Sequence, residues 1–271
     1  MFEKRKQFLR SNKQLLLTAA NVAKKSYGNE YGAKDVFISD AKTDAQLFIT
    51  SEKDYCGENF DLAIGFRGSS SIQDAITDAR IKKKKCELFH PMENGKDVNT
   101  NRYPMIHRGF LEQYMSVRDE LFREIDNLIA SSSAVEGQKK KKVLIASHSL
   151  GGALGTIAAL DLAVNKPNCD VCNISFGSPR VGDGRFVKLF NETVKNNTRL
   201  KHGMDIVSQV PPRIPFNYVH VNGLVKIPSH KTAVPKSGLM GFFQRIRPSY
   251  LVTDHMMDNY IDSLEYIKDE K

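Results

Sequence analysis

The chain of 271 residues has no tryptophan, only four cysteines and no long uninterrupted apolar run. Cys56, Cys86, Cys169 and Cys172, scattered through a chain of this length, do not make the dense disulfide framework of a small secreted scaffold. Cys169 and Cys172 form a C-x-x-C, but no second pair or nearby histidine set accompanies it, so ordinary thiols are expected, with no metal. The stretch from Met1 to Tyr27 begins basic and reaches only Leu15–Leu17 before polar and small residues return. That is too short and too charged for a signal h-region or a membrane span, and a soluble, cytoplasmic protein is the expectation. Phe8, Leu15, Leu16, Ala19, Val22, Ala23 and Tyr27 recur at near-helical spacing, so residues 1–30 are expected to form an N-terminal helix. No internal repeat or low-complexity linker interrupts the chain, and residues 1–271 read as one domain.

Positive charge is in surplus. The formal net charge is +9, and much of it sits in two runs, Lys82–Lys85 and Lys139–Lys142. No nucleic-acid module and no interleaved aromatic pattern accompanies the runs, so nucleic acid is not an expected partner. Solvated loops account for such runs most simply, and peripheral contact with an anionic membrane is the functional alternative. With 41% hydrophobic and 26% charged residues, the composition is that of an ordinary globular domain.

Short strands are expected at Asp35–Ser39 and Gln46–Thr50, and an apolar run spans Phe60–Phe66. An amphipathic helix over Arg108–Ala130 precedes a strand at Val143–Ser147, a helix at Leu150–Val164, a strand at Val171–Phe176, a helix at Arg185–Asn196 and a strand near Arg199–Gly203. This alternation implies a largely parallel α/β sheet flanked by helices. Tyr218–Ile227 reads as a hairpin centred on Asn222-Gly223, and His255–Lys268 as a closing helix.

The most informative stretch is Val143-Leu-Ile-Ala-Ser-His-Ser-Leu-Gly-Gly-Ala153: an apolar strand, a tight turn of small residues, then a helix. It fits a nucleophile elbow that projects the Ser149 hydroxyl from a sharp turn, with the following backbone N–H able to donate to an oxyanion. Ser147 stands where the G-x-S-x-G pattern has its first glycine; Gly151 keeps the second. A serine nucleophile needs a base, itself oriented by an acid, and on such a fold these follow in the order Ser, acid, His. His202 precedes the best acid, His220 falls in the expected hairpin, and His230 lies in a basic loop. His255 opens the last helix after a long connection and is the expected base. Asp205 follows a strand at the carboxyl edge of the sheet, where sites form in parallel sheets, whereas Asp183, between two glycines at a helix entrance, reads as a cap.

Phe66-Arg-Gly-Ser-Ser-Ser71, His107-Arg-Gly-Phe110, Ser147-His-Ser-Leu-Gly-Gly152, Gly177-Ser-Pro-Arg-Val-Gly-Asp183, Asp205-Ile-Val207 with Pro211-Pro212, and Asp254-His255 stand in the order and approximate spacing of the class 3, fungal-type lipases. The chain resembles that family from about Asp35 to Tyr260. The resemblance implies an α/β-hydrolase fold, a Ser149–Asp205–His255 triad, no cofactor, and hydrolysis of lipid esters. It also implies that Ser69 and the Leu150 N–H form the oxyanion hole, that His148 is structural, and that a short lid follows the oxyanion strand. Here the lid segment Ser70–Arg80 offers only Ile72 and Ile76 to an apolar surface. A second apolar stretch, Gly238–Phe243, lies among Lys231, Lys236, Arg245 and Arg247 and reads equally as a lipid-touching loop, an acyl-pocket wall or a packed helix. The alternatives to a hydrolase are an acyltransferase on the same triad and a non-catalytic interaction protein that keeps the fold.

Overall fold

The computed structural model describes residues 2–28, 30–68, 82–89, 92–93, 96–97, 103–131, 140–229 and 253–267. Ser69, Ile72, Ile76 and the whole of Ser70–Arg80 lie outside these residues, as do Lys139, His230 and Gly238–Phe243.

Helices α1 (Phe2–Ser11) and α2 (Lys13–Lys25) lead into the antiparallel strands β1 (Asp35–Asp40) and β2 (Ala45–Thr50). The N-terminal segment is therefore two helices rather than one, divided at Asn12, whose side chain bonds back to the Phe8 carbonyl at 2.8 Å. Helix α3 (Lys53–Cys56) and strand β3 (Leu62–Phe66) follow. Strands β4 (Lys83–Lys85) and β7 (Met105–His107) form one small ribbon, and β5 (Met92–Glu93) and β6 (Lys96–Asp97) another. Then come α4 (Arg108–Ser131), β8 (Lys141–His148), α5 (Leu150–Asn165), β9 (Cys169–Phe176), α6 (Gly184–Thr193), β10 (Asn196–His202), β11 (Leu224–Ile227) and α7 (Met257–Glu265).

Among the described residues, seven strands form the main sheet in the order β1-β2-β3-β8-β9-β10-β11. It is antiparallel through β1, β2 and β3 and parallel from β3 to β11. Strands β8 and β9 are central and covered on both faces, which is why Val143–Ala146 and Val171–Phe176 are rich in apolar residues instead of strictly alternating. One core lies between the sheet and α4, α5 and α6, where Tyr114, Val117, Leu121 and Ile125 form the inner stripe of α4. The other face packs against α2 and α7 through Leu16, Ala20, Phe176, Leu200 and Leu264.

Helix α5 is buried from Gly151 to Leu162 and includes the carboxylate of Asp161. A buried charge must be paired. Tyr114 Oη and Arg118 Nε both donate to Asp161 Oδ2 at 2.6 Å, which ties α4 to α5 beneath the site.

The expected hairpin over Tyr218–Ile227 does not form. Val219 bridges to Gly182, and β11 pairs in parallel with β10. Asn222-Gly223 does bend the chain, with Gly223 at φ +84°, but Arg199 N donates to the Gly223 carbonyl at 2.8 Å and draws the following strand onto β10.

Candidate active site

Ser149 sits between β8 and α5 at φ 59°, ψ −131°. For a residue with a Cβ this conformation costs on the order of 1–3 kcal/mol, and packing on both sides holds it. A Cβ on Gly151 would lie 2.2 Å from the Phe66 carbonyl oxygen, so only glycine lets β3 end against the elbow. Ser147 does more than match glycine in size: its Oγ accepts from the Phe66 N–H at 3.1 Å, joining β8 to β3 beyond their last ladder pair. An exposed nucleophile is the simple expectation for an elbow, but Ser149 is 1% exposed. The ring of His255 lies 2.8 Å from its Oγ, and a Cβ on Gly68 would come within 3.1 Å of its Cβ.

His255 lies in the turn before α7, not on the helix, which begins at Met257. Its ring is fully buried, with Nε2 2.8 Å from Ser149 Oγ and Nδ1 2.9 Å from Asp205 Oδ2. A carboxylate can only accept from Nδ1, which leaves Nε2 to accept the serine proton. Asp205, also fully buried, accepts from the Val207 N–H at 2.9 Å through Oδ1 and from Tyr260 Oη at 2.7 Å through Oδ2. Burial, and then the neighbouring Asp205 charge, push the Tyr260 hydroxyl well above its usual range, so it stays protonated and donates. The Asp205–His255 pair passes over Gly177, where an added Cβ would fall 2.5 Å from Asp205 Oδ2.

His148 fixes the base from behind. Its Nε2 donates to the His255 carbonyl at 2.6 Å, so Nδ1 accepts from Tyr27 Oη at 2.7 Å. Burial, reinforced by His255 with its ring centre 4.5 Å away, pushes the His148 imidazole down to about 3 and keeps it neutral. Tyr27 Oη also lies against Gly68, where a Cβ would be 2.1 Å away. One phenol therefore braces both the His255 turn, through His148, and Gly68 at the end of β3. Asp254 is not a rival acid: its Oδ2 accepts from the Met204 N–H at 2.7 Å and pins the His255 turn to the end of β10.

Asp183 caps α6, accepting from Arg185 N at 3.1 Å and Phe186 N at 3.0 Å. His220 Nε2 donates to the Ser208 carbonyl at 2.6 Å and is structural. Arg180 donates to the carbonyls of Gln209 and Pro211 and props the connection that follows Asp205. Leu150 is the first residue of α5, so its N–H has no acceptor within the helix. The structure thus brings Ser149, Leu150, Asp205 and His255 together, while Ser69, Ile72 and Ile76 are outside the described residues. Tyr260, Tyr27 and His148 complete the support around the base. A cavity of about 460 Å³ between α1–α2 and the amino ends of β8, β9 and β10 lies at the opposite edge of the sheet.

A parallel sheet with a nucleophile elbow and a buried acid–base pair at its carboxyl edge defines the α/β-hydrolase fold. The profile of the family Lipase (class 3) matches residues 63–214, more than half of the chain. The chain belongs to the class 3 lipase family. It is 30% identical over 158 residues to a lipase of Rhizopus niveus, covering 57% of this chain and 36% of that one. It is 32% identical over 159 residues to the chloroplastic phospholipase A(1) DAD1 of Arabidopsis thaliana, covering 56% of this chain and 34% of that one. The match thus spans about a third of the length of these curated relatives. The solved structure of lipase II from Rhizopus niveus superposes with a TM-score of 0.64 at 22% identity, covering 80% of this chain and 81% of that one. A triacylglycerol lipase whose catalytic centre is described as a serine protease triad superposes at 0.65 and 22% identity, covering 89% and 92% of the two chains.

Proposed function

We propose that the protein is a carboxylic ester hydrolase acting on lipid esters, acylglycerol or phospholipid, with Ser149, His255 and Asp205 as its triad. The observation that carries this reading is the hydrogen-bonded chain Ser149–His255–Asp205, with contacts of 2.8 and 2.9 Å. Lipases and phospholipases among the relatives support the substrate class.

In this mechanism the Ser149 oxygen attacks the ester carbonyl while its proton passes to His255 Nε2. Asp205 holds the imidazole in place and stabilises its protonated form. The negative charge on the tetrahedral carbonyl oxygen is met by the Leu150 N–H and, as the family resemblance implies, by Ser69. His255 returns the proton to the leaving alcohol. Water, deprotonated by the same ring, then releases the carboxylic acid and regenerates Ser149. No metal or organic cofactor takes part. With only Ile72 and Ile76 as apolar side chains of any size in the lid segment, dissolved short and medium-chain esters are substrates, and the rate does not jump at the solubility limit. The four free cysteines fit a cytoplasmic setting.

The test is purified protein against p-nitrophenyl esters of graded chain length, glycerides and phospholipids, with fluorophosphonate labelling in parallel. Labelling and turnover are expected in the parent, and Ser149→Ala is expected to lose both while keeping its circular dichroism. Absence of labelling would sink the reading. Acyl transfer to alcohols exceeding hydrolysis would convert it to an acyltransferase.

A further inference from the structure

After Asp205, at the carboxyl edge of the sheet, the chain runs through Val207–Gln209 and out into a projection at Arg213–Asn217. Pro212 to Asn217 are all exposed. Ile214 is 83% exposed, the most of any large hydrophobic residue among those described, and Phe216 is 39% exposed. Ile214 thus buries little of its side chain within the chain, and Phe216 keeps part of its ring in water, which leaves both available to an outside apolar phase. The projection is nevertheless a built structure. Asn217 N donates to the Arg213 carbonyl at 2.6 Å, closing the turn. The next residue, Tyr218, is fully buried and anchors it, with Lys83 Nζ 4.9 Å from its ring centre. The same Nζ donates to the carbonyls of Phe216 at 2.7 Å and Asn217 at 3.3 Å.

That contact sets the first lysine run against the apolar tip. Lys84 and Lys85 have acid partners, Glu112 and Glu87, each at 3.8 Å. Lys82, Lys83 and Arg213 form no ion pair among the described residues. An exposed isoleucine and phenylalanine beside Arg213 and Lys83, cations with no ion pair among the described residues, are complementary to an anionic lipid bilayer, whose headgroups take the cations and whose acyl boundary takes the apolar side chains.

We propose that the Arg213–Asn217 projection, with Lys82 and Lys83, is the membrane-docking surface of this protein. Ile214 and Phe216 enter the headgroup–acyl boundary, and the cations bind anionic headgroups. Because the projection belongs to the same connection as Asp205, docking places the carboxyl edge, and Ser149 with it, at the lipid. The inference deepens the lipid-ester reading and rests on it for its purpose. Docking itself is measurable without catalysis.

The experiment uses the full chain carrying Ser149→Ala, so that vesicles are not consumed, and measures sedimentation with phosphatidylcholine vesicles with and without phosphatidylserine, across a salt series. Binding is expected only with the anionic lipid and is expected to weaken as salt rises. Adding Ile214→Asp should lower partitioning by about 10- to 100-fold, the value of withdrawing one isoleucine from an apolar phase, and Lys82→Gln should lower it about fivefold at low salt. In the Ser149 background, both single changes should leave hydrolysis of a dissolved p-nitrophenyl ester at the parent rate. Absence of vesicle binding, equal binding to neutral vesicles, or unchanged binding by Ile214→Asp would each overturn the docking surface. Loss of soluble-ester turnover in the unmodified chain would instead overturn the hydrolase reading and leave the docking result standing.

Discussion

The carboxyl edge of the sheet holds two regions built on opposite terms. Around His255 the polar side chains are buried, or half-buried in the case of Tyr27, and paired: Asp205, Tyr260, His148 and Tyr27 satisfy one another or a backbone group. A few residues further along the chain, at Arg213–Asn217, the Arg213 cation forms no ion pair among the described residues and the apolar side chains of Ile214 and Phe216 are exposed. Catalytic geometry has to be fixed before substrate arrives, so its polar partners come from within the fold. A surface made for an outside partner leaves its groups unmatched.

The contrast breaks hardest at Asp205. Asp205→Asn removes the charge that orients His255 and should cut kcat by about 10⁴-fold, whereas Asp183→Ala should leave kcat intact and cost about 1 kcal/mol of stability as a lost helix cap. Steady-state kinetics with urea unfolding of both variants would decide it, and the reverse pattern would refute the assignment. Gly177→Ala comes next. Its methyl group would fall on the Asp205–His255 pair at a φ of +59°, and displacement of that pair by about 1 Å should cost on the order of 100-fold in kcat. Parent-like kcat in a folded Gly177→Ala protein would show that the pair tolerates movement.

Tyr260→Phe is a smaller and more diagnostic change. It removes one hydrogen bond to a buried carboxylate, so about 1.5–3 kcal/mol of stability is expected to go. A kcat loss of about tenfold or less, with KM unchanged, is the matching kinetic outcome; a change confined to KM would show that Tyr260 touches substrate and does not position Asp205.

The last effect is a pH dependence of stability. His148 and His220 are each pushed down to about 3, primarily by burial. A folded-state pKa below the unfolded value means that the unfolded chain binds the proton first. The stabilising contribution is therefore complete above about 6.5 and is lost as pH falls toward 3. Each ring should contribute about 2 kcal/mol of destabilisation between pH 7 and 5. Urea midpoints at the two pH values for the parent and for His220→Gln would test this: the variant should show the shallower decline, and identical declines would refute it.

The juxtaposition of Ser149, His255 and Asp205 was legible in the sequence because each sits in a local pattern: Ser149 in a strand–turn–helix of small residues, Asp205 after a strand, His255 before a closing helix. Its supports were not. Tyr27 is 121 residues from His148, and Tyr260 is 55 from Asp205, distances at which no periodicity or spacing links two residues. The misread hairpin has the same origin. Asn222-Gly223 does bend the chain, but the strand beyond it pairs with β10, and no signal within the turn names that partner. The exposure of Ile214 was hidden as well, since a lone isoleucine between Arg213 and Pro215 has no pattern to place it inside or out.

Tyr27 carries a consequence for biosynthesis. It comes from the end of α2, made early, yet it bonds His148 at the elbow, which in turn holds the carbonyl of His255, made late. Helices α2 and α7 are clasped by the Lys24–Asp258 pair at 2.9 Å and by Lys13 Nζ on the Ile267 carbonyl at 2.7 Å. A chain emerging from the ribosome can fold its sheet and elbow with neither base nor clasp in place. The brace on the His255 turn is thus complete only when α2 has met α7, and the appearance of the proposed esterase activity during translation would time that meeting.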